Sequence, residues 1–209
     1  ELSSKYGRLA TGNWYYAVLM NFKTQMAAGY NYPNDSVKIS DLMAPAYWLL
    51  GAGMDYKPDD NFNLFITPVT GRIIMVLNQD LADAGAFGVD PAEYDQNGAR
   101  IKKGKKLRQE FGGYIKMSLK RDLMQNVALQ TKLDFFSNYL KHPERIDINW
   151  EGLLSLKVNQ YISTTISAQM IYDHDTKIGR DTNDDDIDDQ FGPHLQFKEI
   201  IGLSFTYKF

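Results

Sequence analysis

The feature that most constrains this chain is an alternation of apolar and polar residues with a period of two, renewed in segment after segment. In residues 146–158, Ile148, Trp150, Leu154, Leu156 and Val158 alternate with Asp147, Asn149, Glu151, Ser155 and Lys157. The next segment sets Ile162, Thr164, Ile166, Ala168, Met170 and Tyr172 against Ser163, Thr165, Ser167, Gln169 and Asp173. The last sets Phe197, Ile201, Leu203, Phe205, Tyr207 and Phe209 against Lys198, Gly202, Ser204, Thr206 and Lys208, with Glu199 and Ile200 out of step. Successive side chains of a strand point to opposite faces, so these segments read as strands with one apolar and one polar face. Turn residues separate nine such segments, near 1–9, 13–29, 43–57, 61–77, 108–121, 126–140, 145–159, 161–175 and 194–209.

A soluble half-buried sheet alternates in the same way. Two further features point to a membrane. The polar face collects Lys23, Asp55, Glu110, Lys116, Lys132, Asp134, Asp147, Glu151, Lys157 and Asp173, whereas the apolar face is nearly free of charge. It stays so over about 9 to 11 residues per strand, the length a tilted strand needs to cross hydrocarbon. Trp14, Tyr16, Trp48, Tyr56, Trp150, Tyr172 and Tyr207 are placed near strand ends on the apolar side, as an interfacial girdle requires. The connections also alternate in length. With Phe209 in the periplasm, the turns 10–12, 58–60, 122–125 and 159–160 fall inside, and the connections 30–42, 79–107, 141–144 and 179–193 fall outside. Every long connection is thus on one side, as in outer-membrane barrels.

Composition removes other classes. No run of apolar residues approaches the roughly 18 to 20 that a spanning helix requires. The net charge is −3 with Lys and Arg scattered, so no footprint for nucleic acid is present. There is no cysteine, and therefore no disulfide framework or thiol chemistry. The expected fold is all-β, an antiparallel transmembrane β-barrel with about nine strands in this chain. Closed bacterial barrels have an even number of strands and begin with one that rises from the periplasm. The expectation is therefore that residues 1–209 form the C-terminal portion of a single barrel domain of twelve strands, with three missing on the N-terminal side.

The segment Gly202-Leu-Ser-Phe-Thr-Tyr-Lys-Phe209 resembles the signal that the barrel-assembly machinery reads on its clients, which assigns Leu203, Phe205, Tyr207 and Phe209 to assembly. Four other stretches are distinctive: Asn13-Trp-Tyr-Tyr16, Ala28-Gly-Tyr-Asn-Tyr-Pro-Asn-Asp-Ser-Val-Lys-Ile-Ser-Asp41, Asp55-Tyr-Lys-Pro58 and Ala82-Asp-Ala-Gly-Ala-Phe-Gly-Val-Asp-Pro91. On these the chain resembles, over nearly its whole length, a Bacteroidota family of outer-membrane barrels of unknown function, domain of unknown function 3078. The resemblance implies an N-terminal extension with a signal peptide, and it carries no catalytic motif.

Three groups of residues are candidates for chemistry. Asp181, Asn183, Asp185 and Asp189 have the alternate spacing of a calcium loop, but Asp186 stands where such a loop needs Gly, and a solvated acidic outer loop fits as well. The charges Lys116, Lys132, Asp134, Asp147, Glu151 and Lys157 fall on the inward face of neighbouring strands, where they either pair and fill the lumen or line water. In the longest connection, Lys102-Lys-Gly-Lys-Lys106 would be exposed, fold into the lumen or meet anionic headgroups. Thr67-Pro-Val-Thr-Gly-Arg72 reads as a bulge that bends the wall. The histidines His142, His174 and His194 have no serine motif beside them. The expectation is a non-catalytic outer-membrane protein, either a narrow diffusion channel or a component of an outer-membrane complex, with lipid as its surroundings. A lipid-modifying enzyme and a soluble ligand-binding barrel are the alternatives.

Overall fold

The computed structural model describes residues 1–31, 33–176, 178–180 and 190–207. Nine strands form one antiparallel sheet in chain order. They are β1 (Leu2–Thr11), β2 (Trp14–Thr24), β3 (Ala46–Tyr56), β4 (Phe62–Met75), β5 (Leu107–Met124), β6 (Val127–Asn138), β7 (Ile146–Lys157), β8 (Ile162–Tyr172) and β9 (Gln196–Phe205). Each corresponds to one segment read from the sequence. At one end the strands are joined by tight turns, two of which place Gly12 and Asn126 at φ +53° and +68°. The left-handed region that such turns use is open to Gly and tolerated by Asn. Connections 25–45, 76–106, 139–145 and 173–195 all lie at the other end.

The ladder fixes which side chains share a face. Partners such as Tyr16↔Met54, Leu50↔Gly71, Ile66↔Ile115, Leu133↔Trp150 and Ile166↔Ile201 put apolar residues on one side throughout. Partners such as Arg72↔Glu110, Lys116↔Asp134, Lys132↔Glu151 and Gln169↔Lys198 put polar residues on the other. Charges do occur on the apolar side, at Arg8 and Arg121 near the turn end and at Glu199 on the edge strand β9.

The sheet curls toward its polar side. Neighbouring strands are about 4.8 Å apart, so side chains three strands apart on a flat sheet would be separated by about 14 Å. Arg72 on β4 nevertheless reaches Asp147 on β7 at 2.5 Å, and Lys5 on β1 reaches Asn63 on β4 at 2.8 Å. One device for the curl is the segment read as a bulge. The β4 register skips from Thr67 to Thr70 against β5, and the β3 register skips from Ala52 to Met54. Pro68 has no N–H and sits where the ladder is interrupted. Thr67 Oγ1 donates to the Ala52 carbonyl at 2.7 Å and accepts from Thr70 Oγ1 at 3.2 Å, so the buried hydroxyls are satisfied. The strands beside the bulge come so close that only glycine fits: a Cβ on Gly53 would lie 2.1 Å from the Ile66 carbonyl oxygen, and one on Gly112 1.8 Å from that of Ser137. Inside the curve, Ala17, Leu19, Phe65, Tyr114 and Phe136 pack together with Leu49.

Among the described residues the sheet does not close into a barrel: β1 and β9 are its two edges and do not pair with each other. Both run from the loop end to the turn end, so an antiparallel ladder cannot join them directly.

At the loop end, residues 76–106 fold into a cap rather than a bare loop. Asn78 caps the one-turn helix Gln79–Asp83, its Oδ1 accepting from the N–H groups of Asp80 and Leu81. Ala44, Val76, Leu81, Ala82 and Val89 form a second small core there, flanked by Ala86 and Phe87. Two lysines of the basic run are engaged inside the cap, Lys102 with Glu93 at 2.5 Å and Lys105 with Asp90 at 2.8 Å.

Candidate functional site

The polar face carries the groups that chemistry could use, and they fall into three clusters from the turn end to the loop end. Near the turn end, Asp55 on β3 accepts from Lys5 on β1 at 2.8 Å and from Asn63 Nδ2 at 2.6 Å, and Lys57 lies 3.5 Å away. Strand curvature makes this cluster, because the three strands involved are not all neighbours.

At mid-height, four of the six lumen-facing charges read from the sequence meet. Lys116, Lys132, Asp134 and Glu151 line one cavity of about 210 Å³ with Asn21 and Lys23. Lys132 lies 3.6 Å from Glu151, and the Tyr114 hydroxyl donates to Asp134 at 3.1 Å. Asn149 lines the same cavity, and its buried Oδ1 has no hydrogen-bond partner among the described residues. Beside it, a second cavity of about 260 Å³ follows the polar face of β6 to β9, where Ser167, Gln169 and Lys198 contribute. Lys157 shares the face by register with Ser163 but sits at the turn end, exposed and apart from the others.

The third cluster lies at the loop end and is the most buried. Asp147 takes part here instead of at mid-height. Glu110 on β5 is held by both Arg72 of β4 and Arg108 of β5, and its side chain is almost wholly buried. Arg72 continues to Asp147 on β7 at 2.5 Å and lies 3.9 Å from the ring centroid of Phe136. Arg108 continues to Asp175, beyond β8, at 2.6 Å, and to the carbonyl of Gly88 in the cap at 3.4 Å. Asn138 Nδ2 donates to Glu110 at 3.4 Å, and the His174 N–H donates to Asp147 at 3.3 Å. Sequence reading placed Glu110 and Asp147 on this face but passed over Arg72, Arg108 and Asp175. Arg72 ends a segment read only as a bulge, and Asp175 lies past the last alternating residue. The signal that could have found the two arginines is parity, since each is an even number of residues from Glu110 or directly opposite it.

The remaining expected sites fall elsewhere. Asp181, Asn183, Asp185 and Asp189 lie outside the described residues, and among the described residues no group of three or more His, Cys, Asp or Glu could hold a metal ion. Leu203 and Phe205 are on the apolar face of β9 and exposed. Tyr207 lies past the strand and stacks on Tyr161 at 6.3 Å, and Phe209 is outside the described residues. Of the girdle, Trp14 and Tyr56 pair at the turn end, 4.8 Å between centroids, and Trp48 pairs with Phe22 at 4.4 Å near the loop end. Trp150 is not at a strand end; its indole N–H donates to Thr131 at 2.9 Å within the apolar face. His142 contacts Glu144 at 3.0 Å, and His174 contacts the Tyr172 hydroxyl at 3.2 Å.

Titration outside the wall is set by the loop contacts. The Asp41 carboxyl is held down at about 2 by Lys38, by Asn78 and by the Leu42 N–H. Burial pushes Asp83 up, but Gln79, the Gly104 N–H and Arg100 outweigh it and leave the group lowered.

Taken together, these features define an open, curled, antiparallel β-wall with an apolar outer face and an ion-paired inner one. A family described as "Protein of unknown function (DUF3078)" matches residues 1–30, the stretch that holds β1, β2 and Asn13-Trp-Tyr-Tyr16. No curated protein and no solved structure matches the chain.

Proposed function

We propose that this chain forms the wall of a bacterial outer-membrane β-barrel, the fold and place implied by the Bacteroidota family that it resembles, and that this wall offers a narrow, non-catalytic diffusion path. The observation that carries the reading is the apolar face. Leu50, Ile201 and Leu203 are 58, 74 and 79% exposed, and they belong to a surface that continues across all nine strands. A soluble monomer rarely leaves apolar patches of more than a few hundred Å² uncovered. Hydrocarbon covers such a face without requiring any hydrogen bond from it, because the strands satisfy each other's backbone groups.

The inner face supports a path on one side of the lumen only. Apolar side chains fill the curve of β2 to β6, whereas Ser155, Thr165, Ser167, Gln169 and Ser204, interspersed with Leu153, Ile171 and Ile200, leave a cavity of about 260 Å³ along the inner face of β6 to β9. Since β1 and β9 run the same way, an odd number of further strands completes an antiparallel wall. In this reading Leu203, Phe205 and Tyr207 present the finished edge to the assembly machinery. Planar-bilayer recording of the protein tests it: small steady steps support the path. Membrane-stable protein that stays silent and co-purifies with a partner supports instead a structural component of an outer-membrane complex, which the buried loop-end cluster favours. Partition into water without detergent overturns both.

A further inference from the structure

We propose that the Arg72–Glu110–Arg108 cluster is a latch that shuts the loop-end mouth of the lumen, and that the Arg108–Asp175 pair is its releasable arm. The inference rests on the reading of the polar face as a lumen.

The geometry behind it is reach across the curve. Cluster members come from β4, β5, β6, β7 and the segment beyond β8, and all lie on the polar side. Tyr47 of β3 faces the same group and is close enough to Arg72, Arg108 and Asp173 to feel their charge. On a flat sheet, β4 and β7 would be about 14 Å apart, so a network that joins Arg72 on β4 to Asp147 on β7 and reaches Asp175 beyond β8 crosses the curve instead of lying along one wall. Above it sits the cap: Val76, two residues beyond the inward-facing Ile74, opens the small core that Leu81 and Val89 complete. Arg108 joins the two layers, since its guanidinium meets Glu110 in the wall, Asp175 beyond β8 and Gly88 in the cap. A side chain added at Gly88 would collide with that guanidinium, its Cβ falling 2.1 Å from Arg108 Nη1.

The arms of the cluster differ in exposure. The Glu110 and Asp147 side chains are 1 and 16% exposed and sit on strands of the sheet, β5 and β7, whereas Asp175 is 25% exposed and belongs to a connection. Charge tells in the same direction. Two arginines face Glu110, Asp147 and Asp175, so losing Asp175 leaves two arginines matched by two carboxylates within the wall, Glu110 and Asp147. The wall therefore stays together when the arm lets go. What moves is the stretch 173–176 that carries Asp175, and the cap that shares Arg108 with it.

The chain has no cysteine, so a single introduced thiol reports access without background. Ser167→Cys places that thiol on the polar face of β8, in the 260 Å³ cavity below the latch. The reagent is a bulky, membrane-impermeant maleimide, supplied only on the loop side of lipid vesicles holding the protein. Asp175→Asn should speed labelling by about tenfold or more, the change expected when a mostly closed two-state element becomes mostly open. Arg108→Gln should do the same, and Asp175→Glu, which keeps the carboxylate, should keep labelling slow. Equal rates in all four backgrounds overturn the latch. A control thiol at Leu154, on the apolar face, separates the two readings: rapid labelling there overturns the membrane wall itself, whatever the latch does.

Discussion

Two adjacent residues of β8 distinguish lipid from water on the apolar face. Ile166 lies on that face, 38% exposed, between Leu154 and Ile201, and Ser167 is its inward neighbour. β8 begins at Ile162, so Ile166 is four residues along, about 13 Å of strand at roughly 3.3 Å per residue. At a tilt of about 40°, that is about 10 Å of depth, close to the middle of an apolar band about 25 Å tall. A lysine at the midplane of such a face costs about 2–4 kcal/mol. Ile166→Lys should therefore lower the unfolding free energy by that amount, and Ser167→Lys, which adds a charge to a polar face, by less than about 1 kcal/mol. The assay is reversible urea unfolding of the protein in lipid vesicles, followed by tryptophan fluorescence. In a protein surrounded by water the gap would close, because Ile166 is already exposed and a lysine there would change stability by less than about 0.5 kcal/mol. Finding Ile166→Lys as mild as Ser167→Lys would refute the assignment of faces to lipid and lumen.

Three further outcomes follow from single contacts. Glu110→Ala leaves Arg72 and Arg108 sharing a buried site without their common carboxylate, and should cost about 3–5 kcal/mol in the same unfolding assay. Gly112→Ala puts a methyl against the backbone of β6 and should cost at least about 1–3 kcal/mol, whereas Gly71→Ala, which meets nothing within 4 Å, should fold normally; equal effects would refute the close approach at the bulge. Asp41 has a lowered pKa in the folded loop, so its contribution is complete above the ordinary carboxylate value and is lost as pH falls through about 2. Protease cleavage of the 25–45 connection by an acid-active enzyme should accordingly rise between pH 4 and 2 in the natural chain, and Asp41→Asn should remove most of that pH dependence.

What the sequence determined by itself was the wall. A period of two cannot be satisfied by any element but a strand, and a one-residue slip would exchange the faces, so alternation set nine strands, their order and the face of each residue. Turn chemistry at Gly12 and Asn126 placed the tight connections at one end, and Pro68 marked the bulge before its register was known. Tertiary structure alone decided how far that wall bends and what meets inside it. Arg72 and Asp147 are 75 residues apart and come together because β4 to β7 curl, a property of glycine contacts and skipped registers that local patterning does not encode. The 76–106 connection had no period to read, since a helix of five residues is shorter than two turns, and its cap is held by contacts from Asp83 to Arg100 and Gly104 that only the folded chain brings together. The charges that alternation aimed inward thus became three distinct clusters. The most buried of these turned on Arg72 and Arg108, whose partners lie on strands and loops distant in the chain.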